Sequence, residues 1–397
     1  MFLDLIRRRN PALVEASIAL HQASQLPANT YVVDLDAVER NARHISNAAS
    51  KLGLKTYAMT KQIGRNDSCC KAIARGGIAK AVAVDMQCAR AIYRAGLALG
   101  HIGHLVQVPR FEADAAASMA PEHWTVFSLD KAAEAGAAAS RAGRTQALMA
   151  RIVADGDTFY RGHEGGFAAS DILTLADALD NLPGVRFAGI TTFPALLFDR
   201  ESGKVKPTPN LDTLRRAAES LAKAGRGRIE VNTPGTTSSE LLPLLAAAGA
   251  TQVEPGHGLT GTTPLHAVSD LPEIPAVVYL SEVSHVFGGR AFCFGGGLYV
   301  DPVFPAYQVR AVVSRDPKMF GVPMEVDIPA PESIDYYGMI DATGSEKPRT
   351  GDSVVFGFRP QAFVTRAYVA GVAGLATSNP VVESISDSFG RPLSWPL

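Results

Sequence analysis

A lysine that directly follows a short β-rich run is the first residue whose position suggests chemistry. Lys61 comes after the run KTYAMT at residues 55–60. A lysine held at the end of a buried strand, partly removed from water and near other cations, has a lowered pKa and forms Schiff bases with carbonyl compounds. The alternative is a lysine that reaches solvent from a loop, and its position alone does not exclude this.

Two later segments combine glycines with hydroxyl side chains, and each follows a β-rich run. They are TPGTTSS at 233–239 and PGHG at 255–258. Glycines let backbone N–H groups approach a phosphate, Thr236 and Ser238 add hydroxyl donors, and the helix predicted after Ser238 favours an anion at its N-terminus. Either segment alone is also typical of an ordinary helix cap. A Schiff-base lysine and a phosphate site together indicate pyridoxal 5′-phosphate (PLP).

Eight β-rich runs alternate with Ala-rich helical stretches over the first two thirds of the chain. This alternation predicts parallel strands joined by right-handed crossovers, in an α/β fold. Eight units fit a closed (β/α)8 TIM barrel, in which functional residues follow the carboxyl ends of the strands. An open doubly wound sheet is the alternative, but no GxGxxG follows the first run. The runs are KTYAMT (55–60), AKAVAV (79–84), HLVQV (104–108), WTVFSL (124–129), QALMARIV (146–153), RFAGITT (186–192), RIEVN (228–232) and TQVE (251–254).

The last third of the chain has a different pattern. Runs such as AVVYLSEVSHVF and AYVAGVAG have strand-like alternation, with glycine and proline between them and no long Ala-rich helix. This pattern predicts a C-terminal antiparallel β-domain. We therefore expect a helical lead-in over residues 1–28, the barrel over 29–268 and the β-domain over 269–397.

Composition narrows the classes of partner. Among 397 residues, Lys and Arg number 38 and Asp and Glu number 39, for a net charge of -1. The sequence therefore lacks the basic excess of nucleic-acid-binding proteins. No apolar run approaches the ~18 residues of a membrane span, and the N-terminus lacks the core of a signal peptide. Four cysteines are too few for a disulfide scaffold. We expect a cytoplasmic protein with a small-molecule substrate and neither a nucleic-acid nor a membrane partner.

An ordered set of motifs resembles the alanine-racemase-like barrel of PLP enzymes, fold type III. The resemblance covers about residues 29–265, with a β-domain following, and it is closest to the YhfX-type group. It implies that Lys61 carries PLP as an internal aldimine. It also implies a homodimer in which the β-domain of one chain covers the barrel mouth of the other. The motifs are TYVVDLDAVERNARHI, YAMTK, KQIGRN, GITTFPA, EVNTPGTTSS, VEPGHGLTG and FCFGGG.

The resemblance implies roles for further residues. Arg65 stands where family members often carry a Tyr that touches the phosphate, although it could also be a surface arginine. Glu254 stands where alanine racemases have Arg and the decarboxylase branch has Glu; the alternative is a capping Glu. A carboxylate there keeps the pyridine nitrogen protonated, so the ring accepts more negative charge. The cofactor-binding residues are therefore expected to be Lys61, Arg65, Asn232, Thr236, Ser238, Glu254, Gly256 and His257.

The implied reaction begins when an amino acid or amine displaces Lys61 to form an external aldimine. Loss of the Cα proton then gives a carbanion, with Lys61 as the base on one face. The acid on the opposite face should come from the β-domain. The candidates are Cys293, Tyr299 and Tyr336 or Tyr337, each of which could instead be a packing residue.

An amino-acid racemase or epimerase, a PLP-dependent isomerase, is the expected activity. A PLP-dependent decarboxylase or lyase, a PLP-binding homeostasis protein and a PLP-free sugar-phosphate aldolase that uses Lys61 are the alternatives. The lyase branch of the family has a zinc site of His and Cys in its C-terminal domain. The comparable stretch here, FGFRPQAFVTRAYV, has neither residue type, so no metal site is expected.

Overall fold

The computed structural model of the protein describes residues 1–300, 308–319, 321–330, 333–344 and 347–396. The α-helices are α1 (Phe2–Arg9), α2 (Pro11–Gln22), α3 (Leu35–Lys51), α4 (Asp67–Arg75), α5 (Met86–Arg94), α6 (Ala113–Ser118), α7 (Leu129–Arg141), α8 (Ile172–Asp180), α9 (Pro209–Lys223) and α10 (Leu242–Ala247). Among these described residues, no helix has both the length and the apolar character that crossing a bilayer requires.

The strands, again in chain order, are β1 (Thr30–Asp34), β2 (Lys55–Thr56), β3 (Ala58–Met59), β4 (Lys80–Val82), β5 (Ala98–Ile102), β6 (His123–Val126), β7 (Gln146–Val153), β8 (Phe167–Ala168), β9 (Val185–Thr191), β10 (Leu196–Asp199), β11 (Lys204–Pro207), β12 (Glu230–Asn232), β13 (Gln252–Val253), β14 (Val277–Phe287), β15 (Arg290–Phe294), β16 (Arg310–Ser314), β17 (Met324–Asp327), β18 (Tyr337–Asp341), β19 (Ser353–Phe356), β20 (Tyr368–Ala373), β21 (Val381–Ser386) and β22 (Pro392–Leu393).

The chain divides into two compact units. The barrel unit comprises residues 42–60 and 77–258, and the β-rich unit comprises residues 1–41, 61–76 and 259–397. Each unit is therefore built from segments that are distant in the sequence. The domain boundaries expected at residues 29 and 268 stay predictions.

A closed ring of parallel strands forms the barrel unit. Pairing runs from β2 through β13, β12, β9, β7, β6, β5 and β4 to β3. Because β2 and β3 are the two halves of one strand interrupted at Tyr57, this path closes an eight-membered ring. The predicted (β/α)8 barrel is confirmed.

The third predicted strand is wrong. The run HLVQV at 104–108 is irregular, and β5 precedes it. The valines of that run favoured a strand, whereas β5 reads ALGHI and contains Ala and Gly, which are depleted in strands. Gln107 therefore lies in the loop after β5, where its Nε2 donates to the carbonyls of Gly103 (2.7 Å) and Thr125 (3.1 Å). His104 follows the strand end instead.

The β-rich unit confirms the predicted antiparallel domain. Strands β14, β19, β16, β17, β18 and β15 pair antiparallel in that order, and β15 pairs back with β14 to close a second ring. Strands β1, β20, β21 and β22 continue the sheet from β14. The helical lead-in packs on this sheet through one apolar cluster that includes Ile6, Leu13, Ile18, Val278 and Val355.

Histidines and a tyrosine lie inside the barrel, where branched aliphatic residues usually dominate. His101 is 0% exposed, and its ring centroid lies 4.9 Å from that of His123 and 4.6 Å from that of Tyr57. Burial lowers the pKa of His101 well below 6.5, and the neighbouring His123 and His104 lower it further. Burial also lowers the pKa of His123. The barrel core therefore requires these imidazoles to be neutral.

We expect the free energy of unfolding to fall as the pH is lowered from 7 to 5. The unfolded chain binds a proton at His101 below pH 6.5, whereas the folded chain does so only at a lower pH. One such histidine costs at most about 1.4 kcal/mol per pH unit in this window. Urea unfolding at several pH values should show a shallower dependence for His101→Leu. The exposed His44→Leu is the control, and equal slopes for all three proteins would contradict the prediction.

Candidate active site

The turn that begins at Lys61 belongs to the β-rich unit. Lys61 is half-buried and opens a 3-10 turn, Lys61–Ile63, shortly after β3. Gly64 follows with a φ of +57°, and a Cβ at this position would lie 2.7 Å from Cγ2 of Val369. Only glycine lets the turn approach β20 this closely. Asn66 then caps α4 and donates to the carbonyl of Val369 at 3.1 Å.

The same turn brings two cationic side chains to one aromatic ring. Nζ of Lys61 lies 5.1 Å from the ring centroid of Phe363, and Cζ of Arg65 lies 5.5 Å from it. Arg65 is 2% exposed, and its Nη1 donates to the carbonyl of Ser388 at 3.3 Å. It is therefore not a surface arginine, and it places a second cation in the neighbourhood of Lys61.

The two loops rich in glycine and hydroxyl groups meet through their backbones in the barrel unit. A Cβ on Gly258 would lie 2.5 Å from the carbonyl oxygen of Thr237. Ser238 is 0% exposed, and its Oγ has no hydrogen-bond partner within the described residues. A buried hydroxyl without a partner is costly, and phosphate oxygens would satisfy it. The other predicted residues of these loops are at least half-buried: Thr236, Gly256 and His257.

A buried carboxylate follows the last barrel strand. Glu254 is 4% exposed, and its Oε1 accepts a hydrogen bond of 2.8 Å from Nδ2 of Asn232. The same amide lies 3.1 Å from Oγ1 of Thr191. Nε2 of His104 lies 3.6 Å from Oε2 of Glu254. Asn232 and Glu254, both predicted from the sequence, are thus in direct contact, and His104 is a neighbour that the misplaced third strand concealed.

A buried arginine at the end of β7 was also missed. Arg151 is 0% exposed, and its Cζ lies 4.8 Å from the ring centroid of Phe127. Its Nη2 donates to the carbonyls of His163 and Phe193. In the part of the chain that the structure describes, Nε and Nη1 have no hydrogen-bond partner. Burial lowers the pKa of Arg151 to about 10. The sequence did carry a signal for this residue, namely an arginine within the mostly apolar run QALMARIV. Arginine is rarely buried unless it is paired, so its presence there could have indicated a function.

The candidates for the opposite-face acid lie in different surroundings. Cys293 is 0% exposed, its Sγ lies 3.5 Å from the carbonyl oxygen of Gly338, and burial raises its pKa to about 12. Tyr299 is 43% exposed and Tyr336 is 64% exposed, whereas Tyr337 is half-buried. Cys293 is therefore shielded from solvent, whereas each of the three tyrosines is at least partly exposed.

These groups fit a phosphate-bearing aldehyde such as PLP. Lys61 supplies an amine that can condense with an aldehyde. The buried Ser238 hydroxyl lacks a partner among the described residues and can donate to a phosphate, and the buried carboxylate of Glu254 can accept a hydrogen bond from a ring nitrogen. Each of these observations is made within a single unit: Lys61 lies in the β-rich unit, and Ser238 and Glu254 lie in the barrel unit.

Sequence comparisons place the chain among known proteins. Residues 33–264 match the family model "Alanine racemase, N-terminal domain", and residues 278–382 match "YhfX-like, C-terminal domain". The chain is 39% identical to the protein YhfX of Escherichia coli (strain K12) over 99% of its own length and 100% of that protein.

Solved structures show the same fold. D-threonine aldolase from Filomicrobium marinum is similar with a TM-score of 0.70, 18% identity and coverage of 93% of this chain and 96% of that chain. Alanine racemase from Clostridium difficile 630 in complex with cycloserine has a TM-score of 0.64, 13% identity and coverage of 91% and 99%. D-threo-3-hydroxyaspartate dehydratase from Delftia sp. HT23 has a TM-score of 0.65, 17% identity and coverage of 90% and 97%. These neighbours carry three different activities on one fold.

Replacing Gly258 with alanine should weaken PLP binding, because the added Cβ must displace the Thr237 carbonyl that it would meet at 2.5 Å. Overpacking of this kind costs ~1–3 kcal/mol, which corresponds to an increase in Kd of ~5–150-fold. Fluorescence titration with PLP measures the change. Gly227→Ala is the matched control, since its nearest contact, Cβ of Ala222, lies at 3.6 Å. Equal affinity for both variants and the wild type would exclude a role for the contact between the loops.

Proposed function

The chain belongs to the family of the alanine racemase N-terminal domain, and from this premise we propose that it is a PLP-dependent enzyme acting on an amino acid or a related amine, as a racemase or epimerase. One observation carries the proposal. A half-buried lysine, Lys61, lies two residues after the end of β3, and the buried Arg65 shares an aromatic ring with it.

The residues proposed to hold the cofactor are those that the sequence predicted. When bound, PLP supplies an aldehyde that condenses with amines and a ring that accepts electron density from Cα. Lys61 would hold the aldehyde carbon through its Nζ, and Glu254 would accept a hydrogen bond from the ring nitrogen. Asn232 donates to that carboxylate and so orients it. The residues proposed for the phosphate are Arg65, Thr236, Ser238, Gly256 and His257.

Lys61 and one residue of the β-rich unit would move the proton at Cα. Nζ of Lys61 takes the proton from one face of the substrate and can return it there. For the opposite face, the 43% exposure of Tyr299 favours it over Cys293, whose thiol is buried and has a pKa raised to about 12. Return of the proton from that second face inverts Cα, which is racemisation.

We expect PLP to become attached at Lys61 when it is added to the purified protein. Borohydride reduction followed by peptide mass mapping should place a pyridoxyl group on residue 61. Lys71, on the exposed side of α4, serves as the control lysine. A reduced adduct on another lysine, or none on yellow protein, would overturn the proposal. Colourless protein that takes up no PLP would instead favour a PLP-free aldolase.

Decarboxylation or a lyase reaction is the second candidate, and the buried carboxylate of Glu254 favours it. A carboxylate at residue 254 would keep a nearby ring nitrogen protonated, which favours the development of negative charge at Cα. Alanine racemases have an arginine at this position, as the resemblance implies. The two candidates thus differ in how strongly the reaction depends on the charge of residue 254.

Glu254→Gln should slow proton loss from Cα more than it weakens PLP binding. Glutamine retains an oxygen that can accept from Asn232 but removes the negative charge. A charge-assisted hydrogen bond contributes ~1.5–3 kcal/mol, which corresponds to ~10–150-fold in rate. Exchange of the α-proton in D2O, with the amino acid that the wild type exchanges fastest, measures the effect. The exposed Glu240→Gln is the control, and unchanged exchange in Glu254→Gln would show that this position does not govern the ring nitrogen.

The proposal includes a homodimer, which the resemblance implies. Proton transfer at Cα requires exclusion of water, and a C2 pair covers two barrel mouths at once. An active monomer in sedimentation velocity would contradict it.

A further inference from the structure

The aromatic ring that Lys61 and Arg65 share is held by its own backbone. Phe363 lies in the 3-10 turn Ala362–Val364. Thr365 closes this turn, because its N–H and its Oγ1 both donate to the carbonyl of Ala362, at 3.0 and 2.7 Å. Oγ of Ser388 donates to the carbonyl of Thr365 at 2.8 Å. The ring therefore projects from a fixed turn just before β20.

The cations are fixed to the same part of the β-rich unit. Nη1 of Arg65 donates to the carbonyl of Ser388, the residue whose hydroxyl binds the Phe363 turn. Nδ2 of Asn66 donates to the carbonyl of Val369 and to Oγ of Ser386, at 3.1 Å in each case. The turns that carry the ring and the two cations are therefore held by hydrogen bonds to the same region, at the start of β20 and the end of β21.

The distances from the two cations to the ring make the contact electrostatic as well as apolar. A cation within ~6 Å of a ring centroid is attracted by the negative face of the ring, and the attraction grows as water is removed. Both cations lie within this distance of the Phe363 ring centroid, with Nζ of Lys61 at 5.1 Å and Cζ of Arg65 at 5.5 Å. The two positive charges repel each other, and a ring near both offsets part of that repulsion.

We propose that Phe363 is a positioning residue, whose ring holds the Lys61 amine and the Arg65 guanidinium in the arrangement that the cofactor meets. The inference rests on the proposed function, since it assigns the ring to the lysine that would carry PLP. A lysine has many rotamers in solution, and a ring that restricts them lowers the entropy lost on bond formation. Leucine at this position would keep apolar packing and lose the attraction for the charge.

The first test does not use the cofactor. In full-length protein without added PLP, acetic anhydride labelling from pH 6 to 10 and peptide mass mapping give the pH at which half of Lys61 reacts. Because the ring favours the ammonium, Phe363→Leu should lower this midpoint by ~0.4–1.5 pH units. Phe363→Tyr retains the ring and should stay close to the wild type. Phe287→Leu, at a phenylalanine that is 77% exposed, is the matched control.

The second test adds PLP to the same variants. At a pH above the labelling midpoint of both proteins, where the amine is neutral in each, Phe363→Leu should raise the Kd for PLP by ~2–30-fold, because the ring no longer restricts the rotamers of Lys61, and Phe363→Tyr should restore affinity. Should Phe363→Leu fail to fold, Phe363→Met takes its place with the same expected shifts. A wild-type protein that takes no PLP at Lys61 overturns the proposed function, and the labelling midpoint still decides the role of Phe363. A midpoint equal in Phe363→Leu and wild type overturns the role of Phe363, whether or not PLP binds.

Discussion

The position of Lys61 depends on the hydrogen bonds made by the buried side chain of Asn66. Its amide donates to Val369 and Ser386, and its Oδ1 accepts the N–H of Cys69 at the start of α4. A buried amide left without one of these partners would cost ~1–3 kcal/mol. All three bonds therefore form together, and they tie a short turn to two strands that come far later in the chain. The lysine is placed by the antiparallel sheet, although it follows a barrel strand in sequence.

The barrel unit has to stabilise the buried carboxylate of Glu254. A buried charge must be compensated by hydrogen bonds or opposite charge. Thr191, Asn232 and Glu254 follow one another at or near the ends of three neighbouring strands, and their side chains form a connected series. Nε2 of His104, in the loop after β5, lies 3.6 Å from the second carboxylate oxygen. The parallel ring brings these side chains to one height, since strands in register end at the same edge.

The fold does not by itself decide the reaction. Aldolase, racemase and dehydratase activities occur on this architecture, so the choice among them belongs to particular side chains. In this chain the features proposed to influence the choice are the carboxylate at residue 254, the aromatic ring at residue 363 and the contrast between a buried Cys293 and an exposed Tyr299. Each of these changes a local property, namely charge, orientation or access to a proton, without altering the strand order.

The sequence by itself determined the alternation of strands and helices, because buried strands and helices differ in the spacing of their hydrophobic residues. It also offered Lys61, Ser238 and Glu254 as candidates, since each follows a β-rich run and position after a run is a local pattern. The third strand was misplaced because β5 has weak β propensity and takes its stability from its neighbours β4 and β6.

Only the tertiary structure decided which side chains meet. Phe363 lies in a mixed polar and apolar stretch with no motif of its own, and Arg151 and His104 resemble other arginines and histidines when viewed along the chain. Their partners are distant in sequence, and a contact between distant residues depends on how every intervening element packs. Local patterns therefore predicted the barrel and its candidate loops, while the ring beside Lys61 and the amide beside Glu254 emerged only from the folded chain.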